Sequence, residues 1–399
     1  MTDLRRLLKL DDFEPAARRH LPRPLYSYVC GGVEDFVTLR DNRAVFNEWG
    51  LVPRVLVGVG SRTSSVDLLG KSYAQPFGIG PMGISAMTAY RGDVVLARCA
   101  ADANIPMVVS GSSLIRLEEI VAANPDAWFQ AYLPGDVSRI DPLVDRIANA
   151  GYRTLMLTVD TPATPNREHN LRNGFTSPLR PSLGLAWQGL SHPRWLFGNF
   201  LPTLVRHGMP HFENSYAERG VAILSRGVMR DFGERGHLDW THVARIRDRW
   251  RGNLVIKGIM HPDDARLARE HGAEAVVVSN HGGRQLDTTV SALRVLPEVV
   301  SACPGLPVMV DGGIRRGTDA LKALALGARF VWVARPFNYA AAIAGDAGVK
   351  HAIALLASEI DRDMAMLGVR SIAELSPRYL RRLSVTSSEA TPAAERIAP

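Results

Sequence analysis

Short apolar runs recur along the chain, each followed by a polar or glycine-bearing loop and then by an amphipathic segment of roughly ten or more residues. This alternation is typical of repeated strand–helix units with buried parallel strands. Eight units favour the α/β class and a closed (β/α)8 TIM barrel over an open doubly wound sheet. The eight predicted strands are 77–80, 105–109, 127–131, 154–159, 253–259, 275–278, 307–310 and 329–334.

The spacing of the apolar runs along the chain also predicts the domain organisation. Residues 1–75 precede the first run and are expected to form a helical and irregular lead-in, and the barrel is expected to occupy 76–383. One long insertion, 161–238, follows the fourth run. Its aromatic and arginine-bearing part, 179–211, predicts a lid, a subunit contact or a segment that lies on a membrane. The small, polar residues 384–399 are expected to form a flexible tail.

Composition and charge narrow the class of protein. Of the 399 residues, 46% are hydrophobic and 22% charged, which supports a large core. The formal charge of +7 comes mainly from arginine and favours anionic ligands or an anionic membrane surface. Because no basic run is interleaved with aromatic residues, we expect no nucleic-acid partner.

Cysteine usage and the N-terminus bear on location. Cys30, Cys99 and Cys303 are few, odd in number and widely separated, which argues against a disulfide framework or a thiolate metal site. The N-terminal residues lack the apolar region of a secretory signal, and no stretch of about 18 uncharged apolar residues occurs. We therefore expect a cytoplasmic protein without a membrane-spanning helix and without a bound metal.

The loop after the sixth run carries the strongest candidate chemistry. His281 and Arg284 lie three residues apart on this loop. A titrating base beside a permanent cation suits a substrate with a removable proton and a carboxylate or phosphate group. The loop alone leaves an alternative open, in which both side chains only hydrogen-bond a turn.

Polar residues also follow the other runs, and in a barrel the carboxyl ends of all strands share the face that bears the active site. Polar groups on apolar strands are costly to bury without partners. For a single residue such as Thr158 or Gln130, a hydrogen bond to nearby backbone is still the simpler explanation. The loops after the seventh and eighth runs combine glycines with arginines, at Asp311–Arg315 and at Arg335. This is where barrels often bind phosphate, so a phosphorylated cofactor is predicted.

Three motifs at these strand ends belong together: Leu157–Pro162 (LTVDTP), Ser279–Asp287 (SNHGGRQLD) and Asp311–Gly317 (DGGIRRG). They closely resemble the motifs of the FMN-dependent L-2-hydroxy-acid dehydrogenases and oxidases, and the resemblance extends from about residue 21 to 380. The insertion, with His192-Pro193-Arg194-Trp195, is most similar to that of the membrane-associated L-lactate and mandelate dehydrogenases.

The resemblance implies a role for each matching residue. His281 would be the base, Asp160 its carboxylate partner and Lys257 a cation beside the flavin, with Tyr132 completing the catalytic set. Arg167 and Arg284 would bind the substrate carboxylate, and Tyr28 and Tyr132 would donate hydrogen bonds to substrate. The residues implied to contact FMN are Pro81, Met82, Gly83, Ser110, Gln130, Thr158, Lys257, Ser279, Asp311, Gly313, Arg315, Ala334 and Arg335.

The implied activity is oxidation of an L-2-hydroxy acid, L-lactate or a bulkier acid such as mandelate, to the 2-oxo acid. FMN would take two electrons, and hydrogen can leave either as hydride or as a proton with a carbanion. Electrons would pass to a quinone or another acceptor, in a homo-oligomer, a tetramer by resemblance, that is cytoplasmic or peripheral on the inner face of the cell membrane. An oxidase using oxygen and a barrel isomerase that binds FMN or phosphate are the alternatives. The arginine pair weighs against the isomerase.

Departures from the family pattern bear on specificity and on the acceptor. Gly83 lacks the methyl group that many oxidase members carry, which favours a dehydrogenase. Ser112 replaces a tryptophan of the glycolate-oxidising members and leaves more room beside the substrate. Met82 stands where threonine or valine is commoner, and Ala334 stands where glycine is usual beside the phosphate.

Overall fold

A barrel of eight parallel strands dominates the computed structural model, which describes residues 3–225 and 235–383. Each strand pairs with its neighbours in sequence, and the first also pairs with the eighth. A parallel bridge between Ile79 and Met107 joins the first strand to the second and closes the ring. The predicted TIM barrel is confirmed. Its strands are β1 (Phe77–Ile79), β2 (Val108–Ser110), β3 (Trp128–Tyr132), β4 (Thr154–Thr158), β5 (Asn253–Ile259), β6 (Ala275–Val278), β7 (Val308–Asp311) and β8 (Phe330–Val333).

The interior of the barrel changes character along its axis, because alternate residues of each strand point inward. Toward the amino ends, apolar side chains such as Trp128, Met156 and Phe330 form one buried cluster. An antiparallel hairpin, Val66–Leu68 with Lys71–Tyr73, contributes Val66, Leu68 and Tyr73 to the same cluster. At the carboxyl ends, the inward positions are polar. The barrel interior is thus apolar at the amino ends of the strands and polar at their carboxyl ends.

Helices cover the outside of the barrel, since each strand–helix unit must bury the other face of its strand. Three helices precede the first barrel strand: Phe13–His20, Arg23–Cys30 and Val37–Ala44. The helices between and after the barrel strands, outside the insertion, are Ser85–Thr88, Gly92–Asp102, Leu117–Ala123, Ile140–Asn149, Trp240–Arg249, Pro262–Glu270, Ala292–Ala302, Gly317–Ala325 and Arg335–Leu367. Short 3-10 turns lie at Leu4–Arg6, Leu10–Asp12, Val45–Glu48, Val137–Arg139, Ile372–Glu374 and Pro377–Tyr379, and a two-stranded pairing joins Trp49–Leu51 to Leu380–Arg382.

The helix Arg335–Leu367 is long and apolar, and one 18-residue window has a mean hydropathy of 1.3. Length and composition alone would therefore suit a membrane span. However, the backbone leaves the helical region at Ala344 and Gly345. The helix also packs against Phe13–His20 and Gly92–Asp102, and buries Phe337, Val349, Leu356 and Ile360. This packing is typical of a core helix.

The insertion is a helical arm. It contains Glu168–Arg172, Leu183–Leu190 and a continuous helical segment made of Pro193–Trp195, a π-helical turn Leu196–Phe200 and Leu201–His207. Trp195 Nε1 and Asn199 Nδ2 both donate to the carbonyl oxygen of Met87, at 2.7 and 2.8 Å. The inner side of the arm is thus fixed to the barrel. Residues 226–234 of the predicted insertion and the predicted tail lie outside the described residues.

Candidate active site

Polar side chains cluster at the carboxyl ends of the strands, where the inward positions of six strands are polar, five of them buried and the sixth, Asp311, half-buried. Each of these polar residues lies two positions after an apolar residue that points into the barrel, as Lys257 follows Val255 on β5. Because these groups come from different strands of one closed barrel, they line one ring. The six positions are Ser110, Gln130, Thr158, Lys257, Ser279 and Asp311.

A cavity of about 520 Å³ opens above this ring. The lead-in supplies Tyr28, and the strand-end loops supply most of the wall. The beginning of the insertion contributes a further side, from Thr161 to Ser177. Most of the predicted site residues line the cavity: Tyr28, Pro81, Met82, Gly83, Tyr132, Thr158, Arg167, Lys257, His281, Arg284, Asp311, Gly313, Arg315, Ala334 and Arg335. Ser110, Gln130, Asp160 and Ser279 lie behind these residues.

His281 and Asp160 form the central pair of the site. His281 Nδ1 lies 2.8 Å from Asp160 Oδ1, and His281 has a left-handed backbone with φ of 56°. Its backbone N–H donates to Ser279 Oγ at 3.0 Å. Since an ionised carboxylate only accepts hydrogen bonds, Nδ1 carries the proton and Nε2 is the basic nitrogen.

Burial sets the protonation of this pair. It lowers the pKa of His281 below its ordinary value, although the charge of Asp160 acts to raise it. For Asp160, burial acts to raise the pKa, but the charge and hydrogen bond of His281 together with Lys257 keep it lowered. The imidazole is therefore neutral near pH 7 and the carboxylate is ionised, which is the state that a base with an anionic partner needs.

Lys257 is a buried cation within the ring. Its Nζ donates to Ser279 Oγ at 2.8 Å and lies 3.1 Å from Asp311 Oδ2. Burial acts to lower its pKa, but the charges of Asp311 and Asp160 outweigh this effect and raise it. The ammonium group therefore keeps its charge in the barrel interior.

Arg167 and Arg284 lie together in the wall of the cavity and form its first basic corner. Arg284 donates to the carbonyl oxygens of Gly31 and Tyr28 at 2.6 and 2.7 Å. Arg167 donates to the carbonyl oxygen of Arg284 at 3.1 Å and to Gln285 Oε1 at 2.8 Å. Among the described residues, neither guanidinium group hydrogen-bonds a carboxylate. Burial, and then the charge of Arg284, lower the pKa of Arg167 to about 10.

A second basic corner lies where β7 and β8 end. Arg335 Nη2 donates to the carbonyl oxygen of Gly282 at 2.8 Å, and burial followed by the charge of Arg284 lowers the pKa of Arg335 to about 10. Gly313 has φ of 78°, and a Cβ there would lie 1.7 Å from the carbonyl oxygen of Asn42. Only glycine fits this turn, which lines the cavity beside Arg315 and Arg335.

The donor set of the cavity fits FMN. Gln130 Nε2, Thr158 Oγ1 and Asp311 Oδ1 are buried and lack a hydrogen-bond partner within the described chain. Unsatisfied buried polar atoms are rare unless a ligand completes them. Together with Lys257 they offer donors and acceptors to the polar edge of an isoalloxazine ring, and the Arg315–Arg335 corner offers cations to a phosphate.

Several residues of the site were not predicted. Phe175 packs against Tyr28 with ring centroids 4.6 Å apart and the rings tilted by 30°, and Arg235 lies 5.3 Å from the centre of the Tyr132 ring. Trp332 lines the cavity from the inward face of β8. Ala334 was predicted to contact FMN, and side chains two residues apart on a strand point to the same side. The sequence could therefore have predicted that Trp332 also faces the cavity. No local pattern marks the other two, which reach the site through the fold of the insertion.

A family model, described as FMN-dependent dehydrogenase, matches residues 17–382. The chain belongs to this family. The FMN cofactor and the predicted oxidoreductase class acting on 2-hydroxy acids are confirmed.

Individual relatives cover nearly the whole chain. The chain is 37% identical over 390 residues to (S)-mandelate dehydrogenase of Pseudomonas putida, with 96% of each chain covered. It is 38% identical to L-lactate dehydrogenase of Allorhizobium ampelinum, covering 93% of this chain and 98% of the other. L-lactate oxidase of Nostoc sp. is 36% identical, with 95% of this chain and all of the other covered.

Solved structures give the same picture. The crystal structure of the monotopic membrane protein (S)-mandelate dehydrogenase matches with a TM-score of 0.86 at 35% identity, covering 95% of this chain and 100% of the other. A mandelate oxidase with (S)-2-phenylpropionate matches with a TM-score of 0.77 at 32% identity, covering 94% and 98%.

The His281–Asp160 contact leads to a first prediction. Replacing Asp160 with Asn removes the charge that raises the histidine pKa, so the pKa of His281 should fall further below its ordinary value. Titration of ¹³C-labelled histidine by NMR, with His281→Gln to assign the signal, measures this change. Asp239→Asn is the control, because Asp239 contacts His242 instead. A pKa of His281 that is unchanged or raised in Asp160→Asn would contradict the geometry.

Proposed function

We propose that this enzyme oxidises L-2-hydroxy acids with an apolar side chain, of the size of lactate to mandelate, and that its electrons pass from FMN to a quinone at a membrane surface. The observation that carries the proposal is that one cavity holds both the neutral His281 base and the Arg167–Arg284 pair. A removable proton and a carboxylate on adjacent carbons would meet these two groups.

Arg284 and Arg167 bind and orient the carboxylate. Carbonyl oxygens hold part of each guanidinium group, so that the remaining N–H donors are fixed in direction and can meet an anion as a planar fork. The Tyr28 ring lies 5.1 Å from the Arg284 guanidinium and further restricts its position. Such orientation converts binding energy into a reactive geometry at the neighbouring carbon.

His281 Nε2 accepts the proton that substrate loses, from the hydroxyl group in the hydride route or from carbon in the carbanion route. The Asp160 carboxylate, at 2.8 Å, stabilises the imidazolium that forms, and this makes His281 a stronger base than it would be without Asp160. Bound FMN supplies the acceptor for the two electrons that leave the substrate. Lys257 holds a positive charge within the ring, where it would stabilise the negative charge of a reduced flavin.

The substrate side chain is expected to lie among apolar groups. Phe175, Leu171 and Met82 line the cavity, and Ser112 leaves its wall without a bulky side chain. Gly83 leaves less room than its missing methyl group suggests, because a Cβ there would lie 2.7 Å from Tyr28 Oη and 3.0 Å from Ser112 Cβ. The available space is therefore on the Phe175 side, where an aryl or alkyl group can stack.

A panel of L-2-hydroxy acids tests the substrate class. Anaerobic mixing with L-lactate and with (S)-mandelate should bleach the yellow enzyme, whereas the D-acids should not. Each further apolar contact is worth roughly 1 to 3 kcal/mol per methylene, so the rate should rise with side-chain size until the Phe175 wall is reached. Activity confined to glycolate would refute the apolar pocket, and an enzyme that stays oxidised with every acid would refute the function.

The two basic corners should behave differently when mutated. Arg284→Lys should raise KM and lower kcat by about tenfold or more, because lysine lacks the planar fork, and FMN should be retained. Arg335→Ala should weaken FMN binding instead. Equilibrium dialysis measures FMN affinity and steady-state assays with excess FMN measure turnover. Exchanged phenotypes would mean that the substrate and cofactor ends are reversed.

The outer face of the insertion supports the membrane part of the proposal. Trp187 and Phe197 are each 67% exposed, and Leu183 is 91% exposed. Leu183, Trp187 and Leu190 follow helical spacing, so they lie on one face of the helix Leu183–Leu190. Such exposed apolar faces mark interaction sites. The resemblance to a monotopic membrane protein makes a lipid surface the best-supported partner.

Liposome sedimentation tests this placement. Trp187→Ser with Phe197→Ser should reduce binding to vesicles of phosphatidylglycerol and phosphatidylcholine, while anaerobic flavin reduction should stay within about twofold because neither residue lines the cavity. Val55→Ser with Leu56→Ser is the control, since both are exposed apolar residues elsewhere. Native protein that ignores the vesicles, or an equal loss in the control, would contradict the placement.

A further inference from the structure

A second cavity, of about 500 Å³, lies between the insertion and the barrel helices. Arg194, Gly198 and Asn199 of the insertion form one wall. The opposite side consists of Val94 and Val95, on the helix Gly92–Asp102, and of residues 341–345, at the break in the helix Arg335–Leu367. We call this cavity the arm groove. Its floor is largely aliphatic.

The rim of the arm groove carries one uncompensated positive charge. Arg98, Asp346 and Arg91 line the groove, but both arginines are neutralised, with ion pairs of 2.7 Å from Arg98 to Asp346 and from Arg91 to Glu119. Arg194 is exposed and forms no hydrogen bond or ion pair with the described residues. His20 completes the rim, and burial followed by the charges of Arg194 and His192 lowers its pKa. An uncompensated guanidinium group beside an imidazole therefore faces an apolar floor.

The arm groove is continuous with the exposed apolar face of the insertion. Phe197 precedes the groove residues Gly198 and Asn199 on the same π-helical turn. Arg18 and Arg19, both exposed, precede His20 on the helix Phe13–His20 and add positive charge nearby. An apolar slot with a cationic rim, next to an apolar surface, matches the chemistry of an anionic amphiphile.

We propose that the arm groove binds one anionic phospholipid, with the phosphate at Arg194 and His20 and an acyl chain along the aliphatic floor. The proposal rests on the membrane contact proposed above and deepens it. The guanidinium fork suits a phosphate, and the floor gives the acyl chain a contact that free phosphate lacks. A choline headgroup would place a second cation beside Arg194, so zwitterionic lipid should bind less well.

Calorimetric titration of the FMN-loaded enzyme with a short-chain lipid tests the groove without vesicles. Dihexanoyl-phosphatidylglycerol below its micelle concentration should bind with one-to-one stoichiometry. Dihexanoyl-phosphatidylcholine should bind at least about tenfold more weakly, a difference of about 1.4 kcal/mol. Inorganic phosphate should show no saturable binding. Binding of phosphate as tight as that of the lipid would overturn the proposal in favour of a simple anion site.

Three variants locate the binding. Arg194→Gln should weaken phosphatidylglycerol binding about tenfold or more, a loss of about 1.4 kcal/mol. Arg180→Gln removes an exposed insertion arginine that does not line the groove, so it should have no effect. Gly198→Leu should weaken binding by filling the groove, because a Cβ at Gly198 meets open space and the fold can accept it. Equal losses in Arg194→Gln and Arg180→Gln would mean diffuse electrostatics and would overturn the proposal.

Two results separate this proposal from the membrane contact. Native enzyme that sediments with vesicles but does not bind the short-chain lipid would refute the groove and leave the membrane contact standing. Enzyme that binds the short-chain lipid but ignores vesicles would refute the membrane contact and leave a lipid site. Flavin reduction should be unchanged in Arg194→Gln, which shows that the variant is folded and loaded with FMN.

Discussion

The structure depends on holding several buried or half-buried positive charges in one cavity that has few negative charges. Lys257, Arg167, Arg284, Arg315 and Arg335 line the cavity, whereas the nearest carboxylates are Asp311 in the ring and Asp160 behind His281. Burying an unpaired charge is costly, and the lowered pKa values of Arg167 and Arg335 express that cost. Backbone carbonyl groups offset part of it at Arg167, Arg284 and Arg335 without neutralising them. Arg315 instead has a carboxylate partner, Asp11, at 3.4 Å.

The lead-in helix Arg23–Cys30 supplies the most important of these carbonyls. The carbonyl oxygens of Tyr28 and Gly31 at its carboxyl end accept hydrogen bonds from Arg284. The last carbonyls of a helix lack helical partners and carry partial negative charge, so they can hold a cation while leaving it free to bind an anion. The lead-in is thus part of the site. The same cavity can accept a substrate carboxylate at one corner and a cofactor phosphate at the other.

Whether a feature of the structure could be predicted from the sequence depends on how far apart along the chain the interacting residues lie. The eight strands and their polar ends were predictable, because a two-residue period and an apolar run are local signals. His281 and Arg284 stand on one loop, and the resemblance supplied Asp160 and Arg167. Contacts made by folding were not predictable. No sequence pattern links the segments that meet in the contacts of Phe175 with Tyr28 and of Trp195 with Met87. The arm groove likewise depends on the helix break at Gly345, which only the structure shows.

The central claim is that His281 accepts the substrate proton, with Asp160 stabilising its charged form. The most direct test is anaerobic stopped-flow reduction of FMN by (S)-mandelate or L-lactate in the native enzyme and in His281→Gln. The account predicts that the variant binds FMN normally and that its reduction rate falls by about a hundredfold or more, as for loss of a positioned general base. Because burial lowers the pKa of His281, the native rate should stay high as the pH falls and drop only below the ordinary histidine pKa. Near-native reduction by His281→Gln at neutral pH would contradict the account.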